Sequence, residues 1–136
     1  MSNHILYKFS DGREAELCIT TKRAIMLEEW LGTSVLSVVK GDRIDTISAI
    51  CEILAAGYTG EKADIHEAGK ELAMSIYDDM REQGKTLQEF QFLALDLLVS
   101  AGFIPAAFVE AQRAAITLAL REQERMAAEM EKTSEA

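Results

Sequence analysis

The stretch from residue 86 to residue 101, TLQEFQFLALDLLVSA, decides the fold, because at helical period it carries two apolar stripes where a surface helix needs one. Leu87, Phe90, Leu93, Ala94, Leu97, Leu98 and Ala101 share one face, while Phe92, Leu95 and Val99 fall nearly opposite. Only Glu89, Asp96 and Ser100, with Gln88 and Gln91 in the first turns, suit water. Such a helix is either the buried hub of a domain or half of an interface with another chain. Thr86 and Glu89 supply the T-x-x-E of a capping box, which marks a helix start, and Gly102 marks the end.

Downstream, Pro105 suits the first turn of a last helix over about 106–130. That helix is expected to turn Phe108, Val109, Ile116, Ala119, Leu120, Met126 and Met130 inward, with Gln112 and Gln123 interrupting the stripe. At 1.5 Å per residue it would be roughly 37 Å long, more than a small body can cover. Its final turns, REQERMAAEMEK, are expected to project or fray, and 131–136 is expected to be a disordered tail.

Upstream, residues 63–83 repeat Ile65, Ala68, Gly69, Leu72, Ala73, Ile76 and Met80 before Gly84, a 3-4 spacing that predicts a helix. Asp42 or Asp45 opens an earlier helix with Ile44, Ile47, Ile50, Cys51 and Leu54 inward and Gly57 at its end. Val35 to Val39 is a short apolar segment ending at Gly41. Thr20 or Thr21 caps a helix that runs through Ala24, Leu27, Trp30 and Leu31 and stops at Gly32.

Residues 5–19 read as a hairpin. Ile5, Tyr7 and Phe9 alternate with Leu6 and Lys8, and Ala15, Leu17 and Ile19 alternate with Glu14 and Glu16, around an Asp11-Gly12 turn of expected type I′. A lone hairpin is marginal in water, so this one must pack on helices or on another hairpin. The fold class is therefore mainly α: a small helical domain of about five to six helices with an N-terminal β-hairpin. With one proline and no Gly/Ser linker, residues 1–136 are expected to form one domain, comprising a hairpin (1–20), a helical core (21–104), a long C-terminal helix (105–130) and the tail. A body of this size buries roughly 70% of the surface of its unfolded chain, so its core needs no staples.

The formal net charge of −9 argues against binding to phosphate backbones, which needs clustered Lys and Arg. The segment 42–70 resembles a helix-turn-helix in outline, yet DIHEAGKEL is acidic where a recognition helix must be basic. No segment has the length of an apolar membrane span or the pattern of a leader, so a soluble intracellular protein is expected. Cys18 and Cys51 lie apart in apolar patterns and are expected to be free, buried thiols.

Candidates for chemistry are sparse. His66-Glu67 lacks the second His of the zinc-peptidase helix, Lys70 standing in its place, so His66 reads as a helix-surface residue and no metal or cofactor is expected. Asp78, Asp79 and Glu82, like Glu28-Glu29, read as solvated helix faces, because acid–base work needs environments that drive two pKa values apart. Phosphate-cradling and nucleophile-elbow motifs are absent from the sequence, and no enzyme activity is expected.

Met26, Met74, Met80, Met126 and Met130 raise the alternative of an adaptable binding groove, although Met80, Met126 and Met130 also suit a core. Met74 falls opposite its helix's main stripe, as Phe92, Leu95 and Val99 fall opposite theirs. The candidate protein interface is therefore Phe92, Leu95, Val99, Phe103, Met74, Met126 and Met130, for self-association or for a partner.

The hairpin, then Leu27-Glu28-Glu29-Trp30-Leu31-Gly32-Thr33-Ser34-Val35, then an apolar helix ending Ile53-Leu54-Ala55-Ala56-Gly57, resembles the tail assembly chaperones of long-tailed bacteriophages over about residues 5–60. The resemblance implies a non-enzymatic protein that keeps the tape measure protein soluble while tail tube subunits polymerise around it. It also implies multimers, a location in the host cytoplasm and absence from the finished virion. A frameshifted longer form would recruit tail tube protein. The alternative from a different class is a small acidic helical adaptor or inhibitor that masks a basic partner.

Overall fold

The computed structural model describes the backbone of residues 4–40, 44 and 46–135 and side chains as far as residue 132. The described residues form a mainly α fold of two strands followed by six helices. They fall into two compact units, one ending at Ile104 and the other beginning at Pro105.

Strands β1 (Ile5–Lys8) and β2 (Glu14–Leu17) pair antiparallel with Tyr7 opposite Ala15 and Lys8 opposite Glu14. The period-2 pattern puts Tyr7, Phe9, Ala15, Leu17 and Ile19 inside and leaves Leu6, Lys8, Glu14 and Glu16 in water. The turn is not the expected two-residue type I′. Phe9 and Arg13 still bond (Phe9 N to Arg13 O, 2.8 Å), so the loop is Ser10–Gly12, with Gly12 at φ 94° and its N–H bonded to Phe9 O. The Asp11 side chain accepts from Arg13 N at 3.0 Å, a local bond that a three-residue loop accommodates.

Helix α1 (Thr21–Leu31) starts at Thr20, whose side chain accepts from Arg23 N, and ends at Gly32 in the left-handed region, φ 71°. Glu28 then reaches forward, its carboxylate accepting from Val35 N at 2.8 Å at the start of α2 (Val35–Lys40). The apolar run 35–39 is thus one and a half turns of helix that bury Val35, Val38 and Val39. Helix α3 (Ile47–Ala56) is capped by Thr46, which accepts from Ala49 N at 3.1 Å. The expected openers Asp42 and Asp45 lie outside the described residues. Ile47, expected inward, is exposed, although Ala49 and Ile50 in the same turn are buried: it stands on the outer side of the turn.

The hub of the first unit is α3, with seven of its ten residues buried and with α1, α4 and α5 packed around it. Helix α4 (Ile65–Glu82) crosses it at Gly69, where an added Cβ would stand 2.6 Å from Ala55 O. That glycine is there for close approach of two backbones. Helix α5 (Leu87–Ser100) buries Phe90, Ala94, Leu95, Leu97 and Leu98, and Phe90 stacks on Tyr77 of α4 with centroids 4.6 Å apart. Thr86 is its N-cap residue, but its side chain makes no capping bond, so the expected capping box is not formed.

The second unit is one helix, α6 (Ala106–Glu135), 30 residues long and about 45 Å by its rise per residue. It runs past 130, so the tail expected at 131–136 is helical as far as Glu135. No glycine or proline stops it there, and Arg125 pairs with Glu122 and Glu129 one turn to either side. Phe108, Ala119, Leu120, Met126 and Met130, expected inward, are exposed, as is Leu118.

Candidate interaction surface

The seven residues proposed from sequence separate into three environments. Leu95 is wholly buried, 0% exposed, and is removed from the interface: α5 is packed on more than one side, and the stripe that looked spare is core at its centre. Phe92 and Val99, on the same side of α5, and Phe103, just beyond Gly102, are half-buried. Met74, at 50% exposure on α4, and Met126 and Met130 on α6 stand in solvent. The first unit also exposes Leu6, Ile25, Leu36 and Ile47.

Two arrangements escaped the sequence reading. The first is a stack of Trp30 on His66, with ring centroids 3.9 Å apart and planes 9° from parallel. It lines a shallow depression of about 500 Å³ together with Met26, Ala63, Asp64 and Ile65. Behind the stack, His66 donates Nε2–H to Glu52 Oε2 at 2.5 Å, and Lys70 Nζ lies 3.8 Å from the other carboxylate oxygen. His66 is thus a positioned half-buried ring, not a bare surface residue. The Met26–Trp30 spacing of four puts both on one side of α1.

The second is a buried carboxylate. Asp79, read from sequence as part of a solvated face, accepts from Tyr7 OH at 2.6 Å, Ser10 Oγ at 2.6 Å and Gln83 Nε2 at 2.7 Å, with Ser10 N within 3.3 Å. Its neighbours Asp78 and Glu82 do face water. The Ser10 and Tyr7 hydroxyls hold the Asp79 carboxyl below the usual carboxylate range, outweighing desolvation. Burial, aided by the bond to Asp79, drives the Tyr7 phenol far above its ordinary value. The site is saturated with donors from its own chain, which suits fastening the hairpin to α4 and leaves no acid–base pair poised for a substrate. A signal was present: Leu72, Ile76, Asp79 and Gln83 follow one another at 4-3-4 spacing, so Asp79 occupies a position on the apolar stripe.

Cys51 is buried and Cys18 half-buried, both free, and burial pushes the Cys51 thiol up, away from reactivity. Among the described residues no group of three or more His, Cys, Asp or Glu is placed to hold a metal ion, and no helix is long and apolar enough to cross a membrane. No family model matches the chain, and no curated protein and no solved structure matches it.

Proposed function

We propose that this chain is a tail assembly chaperone of the long-tailed phage type, which acts by protein contacts alone. It binds the tape measure protein and keeps it soluble while tail tube subunits polymerise, and copies of the chain associate along the client. The observation that carries this reading is the set of large apolar side chains left in solvent on several of the helices. These are Ile25 on α1, Leu36 on α2, Met74 on α4, and Leu118, Leu120, Met126 and Met130 on α6. A rod-like helical client has apolar stripes of its own, and repeated weak contacts along it add up steeply once the binding units are linked. Methionine suits such contacts because its unbranched thioether repacks against varied surfaces.

The test is co-expression with a tape measure protein. The soluble fraction of that client should rise with the wild-type chain and fall back when Met74, Met126 and Met130 are together replaced by glutamate. A client that stays insoluble beside well-folded wild-type chain removes the proposal. Recruitment of tail tube protein through a frameshifted longer form belongs to the same proposal.

A further inference from the structure

The depression between α1 and the first turn of α4 has the composition of a docking site. It is lined by Trp30, one face of which is taken by His66, together with Met26, Ile65 and the exposed Asp64. Tryptophan and methionine are enriched where partners bury their anchors, the first because it offers much apolar area at few torsions and the second because its thioether adapts to the surface it meets. His66 is held from behind by Glu52, so the indole rests on a ring that does not swing freely. The segment that leads into α4 is acidic on balance: Glu61, Asp64 and Glu67 are exposed against one exposed lysine, Lys62, and the protein as a whole carries −9.

We propose that this groove docks an amphipathic helix of another protein that presents arginine or lysine beside its apolar residues. The aliphatic stem of such a side chain lies against Met26 and Ile65, its cationic head is attracted to the Trp30 ring and to Asp64, and a neighbouring leucine or alanine fills the rest. A guanidinium fits best, being planar and weakly hydrated. An acidic or purely apolar helix meets the same walls without the charge attraction. This inference rests on the client-binding reading above and names the place and chemistry of one contact.

The probes are two labelled synthetic peptides, one combining leucine and alanine with arginine and lysine, the other with glutamate in place of every basic residue. Binding to the full chain is read by anisotropy and by the emission of Trp30, the single tryptophan. The basic peptide should bind about tenfold more tightly than its acidic twin and lose most of that margin at high salt. Met26→Ala should weaken it about tenfold. Asp64→Asn, which retains the side-chain cap on Glu67 N, should weaken it about threefold with an unchanged melting temperature.

Equal affinity for the two peptides, or wild-type affinity in both folded variants, overturns the proposal. So does a concentration-dependent mass that Met26→Ala abolishes while the peptide fails to bind, since the occupant is then a second copy. Co-expression separates this inference from the chaperone reading. If Met26→Ala solubilises the client as well as wild type does, the groove fails alone; if wild type fails while the basic peptide binds, the chaperone reading fails alone.

Discussion

The Tyr7 hydroxyl of β1 donates to Asp79 Oδ2 of α4 at 2.6 Å, so the hairpin and the longest helix of the first unit are joined through a buried carboxylate. Ser10 and Gln83 complete the shell around it. Tyr7→Phe removes one donor to a charged acceptor and should cost about 1 to 2 kcal/mol. Denaturant unfolding should show a lower midpoint at unchanged slope. An unaltered midpoint would mean that the bond contributes nothing net.

The same pair sets a pH dependence with two limbs. Asp79 titrates lower in the folded chain than in the unfolded one, so its contribution is present above the ordinary carboxylate range and drains away as the pH falls through its folded value. Asp79→Asn should flatten the acid limb of the stability profile. Tyr7 titrates above its ordinary value of 10, so its contribution is complete below that pH and is withdrawn as the pH rises beyond it. Tyr7→Phe should remove that alkaline loss. Limbs unchanged in both variants would reject the assignment.

Leu95 is core, so Leu95→Ala should destabilise by about 2 to 5 kcal/mol through lost burial and a cavity. The effect belongs to folding and should leave the association behaviour of the folded fraction as it was. A large change in association with little change in melting temperature would return Leu95 to the interface.

Gly69→Ala places a methyl group against the Ala55 backbone and should cost about 1 to 3 kcal/mol as α3 and α4 are forced apart. A stabilised variant, as expected for alanine at an uncrowded helical glycine, would contradict the close crossing.

Met126→Glu and Met130→Glu should leave the melting curve within about 0.5 kcal/mol of wild type, since both side chains are solvated. Their effect should appear in client solubility and in the mass of the chain in solution. Loss of fold in either variant would show that these methionines are needed inside.

What could be read from sequence was whatever depended on neighbours in the chain. Thr20 and Gly32 bracket α1 as expected, and the Ile65 to Met80 stripe faces inward, because caps and 3-4 spacing are local properties. The hairpin alternation held for the same reason, while its turn differed because pairing continues to Phe9 and Arg13. What could not be read depended on the third dimension. Whether Leu95 is covered is decided by how many elements surround α5, and whether Asp79 is solvated is decided by where Tyr7 and Ser10 arrive. The Trp30–His66 stack joins residues on different helices, and neither carries a local mark of the other. In α6 the heptad-like stripe described which residues share a face but not what, if anything, covers them.

The fastening at Asp79 also inspects the hairpin it holds. If β1 slid by one residue so that Leu6 took the place of Tyr7, Tyr7 would swing to the far side of the ribbon and no side-chain donor from the strand would reach the carboxylate. That arrangement would take one donor from a buried negative charge, a greater loss than that of a bond to a neutral acceptor. Correct strand alignment is thereby proofread by a single side chain about seventy positions away, and a two-stranded ribbon otherwise prone to slippage acquires one address.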